Sequence, residues 1–195
     1  KGEYEALPEK LEDPDFAPDF GPATFNARSA ATAIGARPFL IAWNLNLNTR
    51  ERKLANQIAA ELRETGKLQR GDDGKTARDA DGDALRTPGR FTELQGGGWF
   101  IEEYGRAQLT FNLMNYELTS LHDVFDACCE EAAKLGVRVT GSELVGLVPL
   151  AALLAASDHY LAMQGRTTGI PEAERVRAAV MSLGLDDLSR FDPAE

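Results

Sequence analysis

Residues 35–49, GARPFLIAWNLNLNT, decide the fold, because a strand pattern there leads directly into the start of a helix. Successive side chains of a strand point to opposite faces of the sheet. One face takes Phe39, Ile41, Trp43, Leu45 and Leu47, and the other takes Leu40, Ala42, Asn44 and Asn46. The first set is wholly apolar, whereas the second ends in two amides. We therefore expect a central strand with a ligand near the C-terminal end of its polar face.

The composition indicates a globular protein and excludes two kinds of partner. With 195 residues and 43% hydrophobic residues, the chain can bury a core of its own. Its net charge of -10 argues against nucleic acid, which needs a basic face. No apolar run approaches the length of a membrane span, and the N-terminus shows no signal-peptide pattern. We expect a cytoplasmic protein that binds neither membrane nor nucleic acid.

Residues 1–34 are predicted to be a linker and a ligand-binding loop. Pro8, Pro14 and Pro18 interrupt helices and keep this region extended. We interpret it as the trailing end of an upstream subdomain that is missing from this sequence. Small and hydroxyl residues from Gly21 onward suggest a loop whose backbone donors face a ligand, and an ordinary solvent-exposed loop is the alternative.

An amphipathic helix is predicted directly after the first strand. Asn48 is a candidate N-cap, with Glu51 three residues later. Apolar side chains then recur at four-residue spacing, at Leu54, Ile58 and Leu62. We expect this helix to pack on the sheet.

Residues 67–89 are predicted to be a flexible insertion. The sequence KLQRGDDGKTARDADGDALRTPG has no apolar period and is rich in Gly, Asp and Lys. Its DADGD stretch resembles the start of a calcium loop, but Ala84 and Arg90 stand where the turn glycine and the closing glutamate belong. No metal site is predicted.

The second half of the chain alternates between strands and helices. Extended segments at 90–95 and 99–103 flank three glycines that suggest a bulge, and residues 107–112 are expected to pair antiparallel with them. Thr119 is expected to cap a long helix, which is followed by a last strand at 137–140.

The order of elements predicts an α+β fold. Strand, helix, strand, strand, helix and strand follow one another, which is the pattern of a ferredoxin-like βαββαβ sandwich with an antiparallel sheet. Residues 150–163 and 171–183 add C-terminal helices. Because the helices cover one face of such a sheet, the other face is left to be explained.

The residues that carry chemistry form no catalytic motif. His122 and His159 have no serine, cysteine or second histidine at motif spacing, so no catalytic residue is assigned. Cys128 and Cys129 are adjacent in a helix, which fits neither a disulfide nor a zinc site. Glu143, in a glycine-flanked stretch after the last strand, is the one acid that we consider a ligand contact.

A set of stretches is characteristic in its order and spacing: GEYEALPEKL, APDFGP, GARPFLIAWNLNL, QGGGWFIEE, TSLHDVF, GSELVGLVPL and FDP. They resemble the formiminotransferase domain of glutamate formimidoyltransferases, in the formiminotransferase-cyclodeaminase family. The resemblance covers the linker and the C-terminal subdomain, with residues 67–89 as an insertion. It assigns residues 35–195 to that subdomain.

The resemblance implies an enzyme of two ferredoxin-like subdomains. Such an enzyme transfers a formimino group from N-formimino-glutamate to tetrahydrofolate, its co-substrate, in histidine degradation. The catalytic histidine of the family belongs to the N-terminal subdomain, so this chain alone is expected to be inactive and to need that subdomain as a partner. Whether the N-terminal half lies on the same chain and whether the protein is a homodimer stay open.

The folate-binding segment of the family corresponds to residues 21–30, and the polar strand face adds two amides. The expected folate-binding residues are Gly21, Pro22, Ala23, Thr24, Phe25, Asn26, Ala27, Arg28, Ser29, Ala30, Asn44 and Asn46. Residues 26–30 depart from the family pattern. Arg28 or Arg37 is expected to meet the anionic tail of folate, since a carboxylate in a partly desolvated groove needs a charge-assisted donor.

Two alternative functions remain. The chain is a stand-alone folate-binding or interaction module without catalysis, or it is part of a related formyl-transferring enzyme on the same scaffold. Finding the missing half, upstream in the same gene or as a co-purifying chain, separates the module from the transferase. Formimino and formyl transfer stay unresolved, because the absent half largely discriminates the moving group.

Overall fold

The computed structural model describes residues 4–193 and divides the chain into two compact units, Lys1–Arg37 and Pro38–Glu195. The first unit holds one helical turn, α1 (Leu7–Lys10), between 3-10 turns at Tyr4–Ala6 and Pro14–Phe16. Asp13 caps the second of these turns, where its Oδ1 accepts a hydrogen bond from the backbone N–H of Asp15 at 3.0 Å. The assignment of residues 1–34 to a linker stays a prediction.

The second unit contains the sheet and the long helices. Its elements are β1 (Ile41–Leu47), α2 (Arg52–Leu62), β2 (Lys67–Leu68), β3 (Arg86–Thr87), β4 (Leu94–Ile101), β5 (Arg106–Leu113), α3 (Leu121–Lys134), β6 (Val139–Val145), α4 (Leu150–Met163) and α5 (Glu172–Leu183). Four strands form one antiparallel sheet in the order β4-β5-β1-β6. The predicted α+β class and antiparallel sheet are confirmed, and the ferredoxin-like assignment stays a prediction. No helix in the described part of the chain is long and apolar enough to cross a membrane.

The helix-covered face of the sheet carries the core. On this side β1 buries four side chains completely: Ile41, Trp43, Leu45 and Leu47. The ring of Phe125 from α3 stacks on Trp43, with centroids 6.1 Å apart. Burying one large apolar side chain stabilises a fold by about 1.5–3 kcal/mol, so this face is the main source of stability. Phe39, which the alternation placed on the same face, lies before the strand and is exposed.

The three glycines of β4 do not interrupt the strand. The sequence predicts two segments and a bulge, but β4 runs without a break through Gly96, Gly97 and Gly98 and keeps its register with β5. A Cβ at Gly98 would lie 2.4 Å from the backbone nitrogen of Asn56 in α2. Close packing of α2 on the strand therefore requires this glycine.

Two predicted helix caps are wrong. Helix α2 begins at Arg52, and Asn48 instead accepts a hydrogen bond from the backbone N–H of Arg138 at 2.7 Å. Helix α3 is capped by Ser120, whose hydroxyl accepts from the backbone N–H of Asp123. The Thr119 hydroxyl, which was the predicted cap of α3, instead donates to the carbonyl of Thr92 at 2.6 Å. Both predicted caps thus bond to residues outside the helix that they were expected to cap.

The last strand is longer than its predicted span of 137–140. Strand β6 begins at Val139 and continues to Val145, so the first part of the stretch after residue 140, which holds Glu143, is paired with β1. Glu143 consequently lies within the sheet and not in a loop. Residues 67–89 also contain more structure than predicted, because β2 and β3 pair and isolated bridges join Arg70 to Thr76 and Arg78 to Ala84. The flexibility of this insertion stays a prediction.

Candidate ligand-binding face

The face of the sheet opposite the helices is polar, and we call it the polar face. Residues directly opposite each other in antiparallel strands share a face. Asn44 is opposite Thr110 on one side and Glu143 on the other, and Asn46 is opposite Gln108. The polar face therefore includes Gln95, Gly97 and Trp99 of β4, Gln108, Thr110 and Asn112 of β5, Asn44 and Asn46 of β1, and Glu143 of β6, beside the apolar residues Ala42 and Val145.

A hydrogen-bond network fixes the centre of the polar face. Glu143 Oε1 accepts from Asn44 Nδ2 at 2.9 Å and from Gln108 Nε2 at 3.2 Å. Gln108 Nε2 also donates to Asn46 Oδ1 at 2.7 Å, and Asn46 Nδ2 donates to Asp187 Oδ2 at 2.8 Å. The three amide residues are at most 6% exposed, and their bonds compensate the loss of water. The network holds the Glu143 carboxylate in one place.

This network changes the role expected for Asn44 and Asn46. We predicted that their amides pair with a ligand, but their Nδ2 donors bond to carboxylates of the protein itself. Their part in folate binding stays a proposal, and the structure gives them a positioning role. Gln108 and Asp187, which complete the network, were not singled out from the sequence. Gln108 alternates with apolar residues along its strand, so that pattern could have identified it.

A cleft of about 540 Å³ opens at the C-terminal end of β1, where the sequence predicts a ligand. Arg50, Tyr104 and Arg106 are among the residues that line it. Arg106 forms an ion pair with Asp187 at 2.8 Å, and the Arg50 guanidinium lies 5.4 Å from the centre of the Phe100 ring. The cleft therefore holds two cationic groups at the edge of the polar face.

Tyr104 connects the cleft to the polar face electrostatically. The negative charge of Glu143, together with burial and the charge of Glu103, raises the pKa of the Tyr104 phenol above its ordinary value of 10. The phenol is therefore neutral near pH 7 and keeps its proton as a hydrogen-bond donor.

The predicted folate loop, residues 21–30, belongs to the first unit. Asn26 organises it, since its Oδ1 accepts from the backbone N–H groups of Arg28 and Ser29 at 3.0 and 3.2 Å. Phe25 makes an edge-to-face contact with Tyr4, whose hydroxyl donates to the carbonyl of Ala27. Most of the loop is exposed, including Arg28. Arg37, the other arginine considered, lies in the same unit.

The two histidines form a pair that sequence spacing did not indicate. The rings of His122 in α3 and His159 in α4 stack with centroids 4.3 Å apart. His159 Nε2 lies 3.0 Å from Asp126 Oδ2, and Tyr160 donates to the other oxygen of Asp126. Burial lowers the pKa of His122, with Asp123 and Asp126 opposing and His159 adding to this effect. Because Phe125 of α3 contacts Trp43, this helix lies on the side of the sheet opposite the polar face.

Within residues 4–193, no group of three or more His, Cys, Asp or Glu side chains is arranged to hold a metal ion. The arrangement on the polar face suits non-covalent binding: a fixed carboxylate, buried amides that hold it, an exposed tryptophan, and arginines at one edge.

Comparisons with known proteins agree on one family. The sequence model of the formiminotransferase domain matches residues 42–195. The formimidoyltransferase-cyclodeaminase of Dictyostelium discoideum is 46% identical over 194 residues, which are 99% of this chain and 33% of that protein. The corresponding protein of Mus musculus is 46% identical over 195 residues, covering 100% of this chain and 32% of its own length.

A shorter relative also matches. The glutamate formimidoyltransferase of Streptococcus pyogenes serotype M1 is 33% identical over 164 residues, or 84% of this chain and 48% of that protein. This chain therefore spans about a third of the length of the longer relatives and about half of the shorter one.

Proposed function

This chain belongs to the formiminotransferase family, and we propose that it is the folate-binding half of a cytoplasmic glutamate formimidoyltransferase. In this proposal the complete enzyme transfers a formimino group from N-formimino-glutamate to tetrahydrofolate, a one-carbon step of histidine degradation. The relatives named above support the transferase class through their names. The observation that carries the proposal is the polar face, where buried amides hold a carboxylate in position beside an exposed tryptophan.

The proposed partner of this chain is an N-terminal subdomain that closes over the polar face. The relatives are two to three times as long as the matched segment, which leaves room for such a subdomain. Exposed Trp99 and half-buried Glu143 give the polar face a mixture of aromatic and polar groups of the kind that lines ligand pockets. The folate and the formimino donor then lie between the two subdomains.

The proton-transfer group of the reaction is proposed to come from the partner subdomain. General acid–base catalysis requires a group within hydrogen-bond reach of the reacting atoms. His122 and His159 lie on the helix side of the sheet and contact each other, so neither meets this requirement at the polar face. This chain is therefore proposed to bind and orient the folate without supplying a catalytic residue.

The anionic tail of folate is proposed to meet arginines. A protein with a net charge of -10 repels a dicarboxylate unless cationic groups are placed locally. Arg28 and Arg37, with residues 21–30, remain the proposed contacts in the first unit, because their loop leads into the central strand. Arg50 and Arg106 in the cleft at the end of β1 are further candidates on the sheet itself.

The proposal is tested by comparing the isolated chain with the full-length protein that carries it. We expect the full-length protein to bind tetrahydrofolate and to release glutamate from N-formimino-glutamate, and we expect the isolated chain to release none. N-formyl-glutamate as the donor tests the formyl alternative, and circular dichroism of the isolated chain controls for folding. Turnover by the isolated chain would contradict the division of roles, and a full-length protein that binds no tetrahydrofolate would contradict the function.

A further inference from the structure

Neither the packing nor the backbone conformation of the fold requires glycine at position 97. A Cβ at Gly96 would lie 2.3 Å from the Phe111 ring, and one at Gly98 would lie 2.4 Å from the backbone of α2, so both neighbours must be glycine. At Gly97 the nearest atom would be 3.8 Å away, an ordinary contact, and its φ is not in the left-handed region. A glycine inside a strand costs about 0.5–1 kcal/mol relative to alanine, and it often marks the close approach of a ligand.

Because Gly97 has no side chain, it leaves a shallow depression on the polar face, which we call the floor. Gly97 is opposite Thr110 of β5, which in turn is opposite Asn44 of β1. The next residue of β4 on the same face is Trp99, 43% exposed, whose Nε1 donates to Gln108 Oε1 at 3.0 Å. This bond holds the indole beside the floor and gives the floor one aromatic wall.

The Glu143 carboxylate also lies on the polar face, and only one of its two oxygens accepts hydrogen bonds from the residues that the structure describes. Both of its amide donors, Asn44 and Gln108, bond to Oε1. In the described part of the chain, Oε2 has no hydrogen-bond partner. Because those donors lie on β1 and β5, the carboxylate is held over the two inner strands of the sheet. A fixed carboxylate oxygen of this kind selects a ligand group that presents N–H donors.

We propose that the ring system of the folate lies flat on Gly97 and Thr110, with its aminopyrimidinone edge towards Glu143. This inference rests on the function proposed above and specifies which end of the ligand the sheet recognises. The ring and exocyclic N–H groups of that edge donate to the free oxygen of Glu143, and Trp99 borders the ring. The carboxylate of Glu143 repels the anionic tail, which therefore extends away from the centre of the polar face.

Two substitutions in the full-length protein test this placement. Glu143→Gln keeps an oxygen that accepts from Asn44 and Gln108 and replaces Oε2 by an NH₂ group, which cannot accept. We expect the Kd for tetrahydrofolate to rise about ten- to a hundredfold, the range for a lost hydrogen bond to a charged group. Gly97→Val fills the floor, so we expect Kd to rise about tenfold or more while the melting temperature stays equal or rises, because valine favours a strand.

The ligand arm of the experiment uses the 2-desamino analogue of tetrahydrofolate, which lacks the exocyclic amino group. If Glu143 accepts from this group, Glu143→Gln weakens tetrahydrofolate more than it weakens the analogue. The matched control is Glu172→Gln, on an exposed helix end away from the polar face, and it should leave Kd within about twofold of wild type.

Three results would overturn the inference. If wild type binds tetrahydrofolate and both test variants bind within about twofold of it, the ring lies elsewhere and the proposed function stands. Equal weakening of tetrahydrofolate and of its analogue by Glu143→Gln shows that the exocyclic amino group does not donate to Glu143, which contradicts the proposed placement of this edge. A wild-type protein without affinity for tetrahydrofolate overturns the proposed function and this inference together.

Discussion

The two faces of the sheet come from the same strands and have different properties. In β1, Trp43 and Leu45 are completely buried against the helices, whereas Asn44 and Asn46, which alternate with them, point to the polar face. The two tryptophans of the chain divide in the same way, with Trp43 at 0% and Trp99 at 43% exposure. The two-residue period of a strand thus separates stability from binding on opposite sides of one backbone.

The polar face contributes to the fold mainly through geometry. Its buried amides exchange bonds to water for bonds to each other and to carboxylates, which gives a small net gain per bond but a large penalty when one partner is lost. The helix-covered face gains free energy with each apolar group that it buries. Substitutions on the polar face should therefore mainly change binding, and substitutions on the helix-covered face should mainly change stability.

The largest expected difference in the free energy of unfolding comes from replacing a tryptophan by alanine on each of the two faces. Trp43→Ala should lower the free energy of unfolding by about 3–5 kcal/mol, since it leaves a cavity next to Phe125. Trp99→Ala should lower it by about 1 kcal/mol or less, because the exposed indole loses one hydrogen bond that water can replace. Chemical denaturation of both variants measures the difference, and equal losses would contradict the assignment of the faces.

An intermediate effect is expected within the polar face. Asn46→Ala removes the acceptor for Gln108 and the donor to Asp187, so the free energy of unfolding should fall by about 1–3 kcal/mol. Asn112→Ala, at an exposed position of the same face, should change it by about 0.5 kcal/mol or less. Equal losses of free energy of unfolding in urea denaturation would show that the buried network does not make Asn46 more important for stability than Asn112.

The histidine pair gives the smallest expected effect, a pH dependence confined to the helix side. The pKa of His122 is lowered from 6.5 in the folded protein, mainly by burial, so the unfolded chain binds the proton more readily. The stability contribution is complete above the unfolded pKa and is lost as pH falls through the lower, folded pKa.

Wild type should consequently lose more free energy of unfolding than His122→Asn when the pH is lowered from about 7.5 to about 5. The groups that face His122 are Asp123 and Asp126 on its own helix and His159 on α4, and all three remain in the variant. Parallel pH profiles for the two proteins would show that burial does not hold His122 in its neutral form.

Local periodicity predicted most of the fold. The alternation in residues 35–49 defined β1 and its two faces, and the four-residue apolar spacing located α2. The caps were wrong because capping depends on which partner a side chain finds in the folded chain. Asn48 bonds to Arg138, 90 residues away, and Thr119 bonds to Thr92 in a neighbouring segment. Neither bond is visible in a local window.

The site was less predictable than the fold, for a similar physical reason. Asn44 and Glu143 were singled out separately, but only the pairing of β1 with β6 brings them within hydrogen-bond distance. The stacked rings of His122 and His159 come from two helices, so no spacing within one helix indicates the pair. Gly97 differs from its neighbours only in what surrounds it, which the run of three glycines cannot reveal.

The central claim, that the polar face is the ligand face, is tested most directly by fluorine NMR of the full-length protein labelled with 5-fluorotryptophan. Trp43→Phe and Trp99→Phe assign the two resonances of this chain. The first should be tolerated, because in the described structure the buried Nε1 of Trp43 has no hydrogen-bond partner to lose. Saturating tetrahydrofolate should shift the Trp99 resonance and leave that of Trp43 in place. A shift at Trp43 alone, or no shift at Trp99 when calorimetry shows a saturated site, would contradict the account.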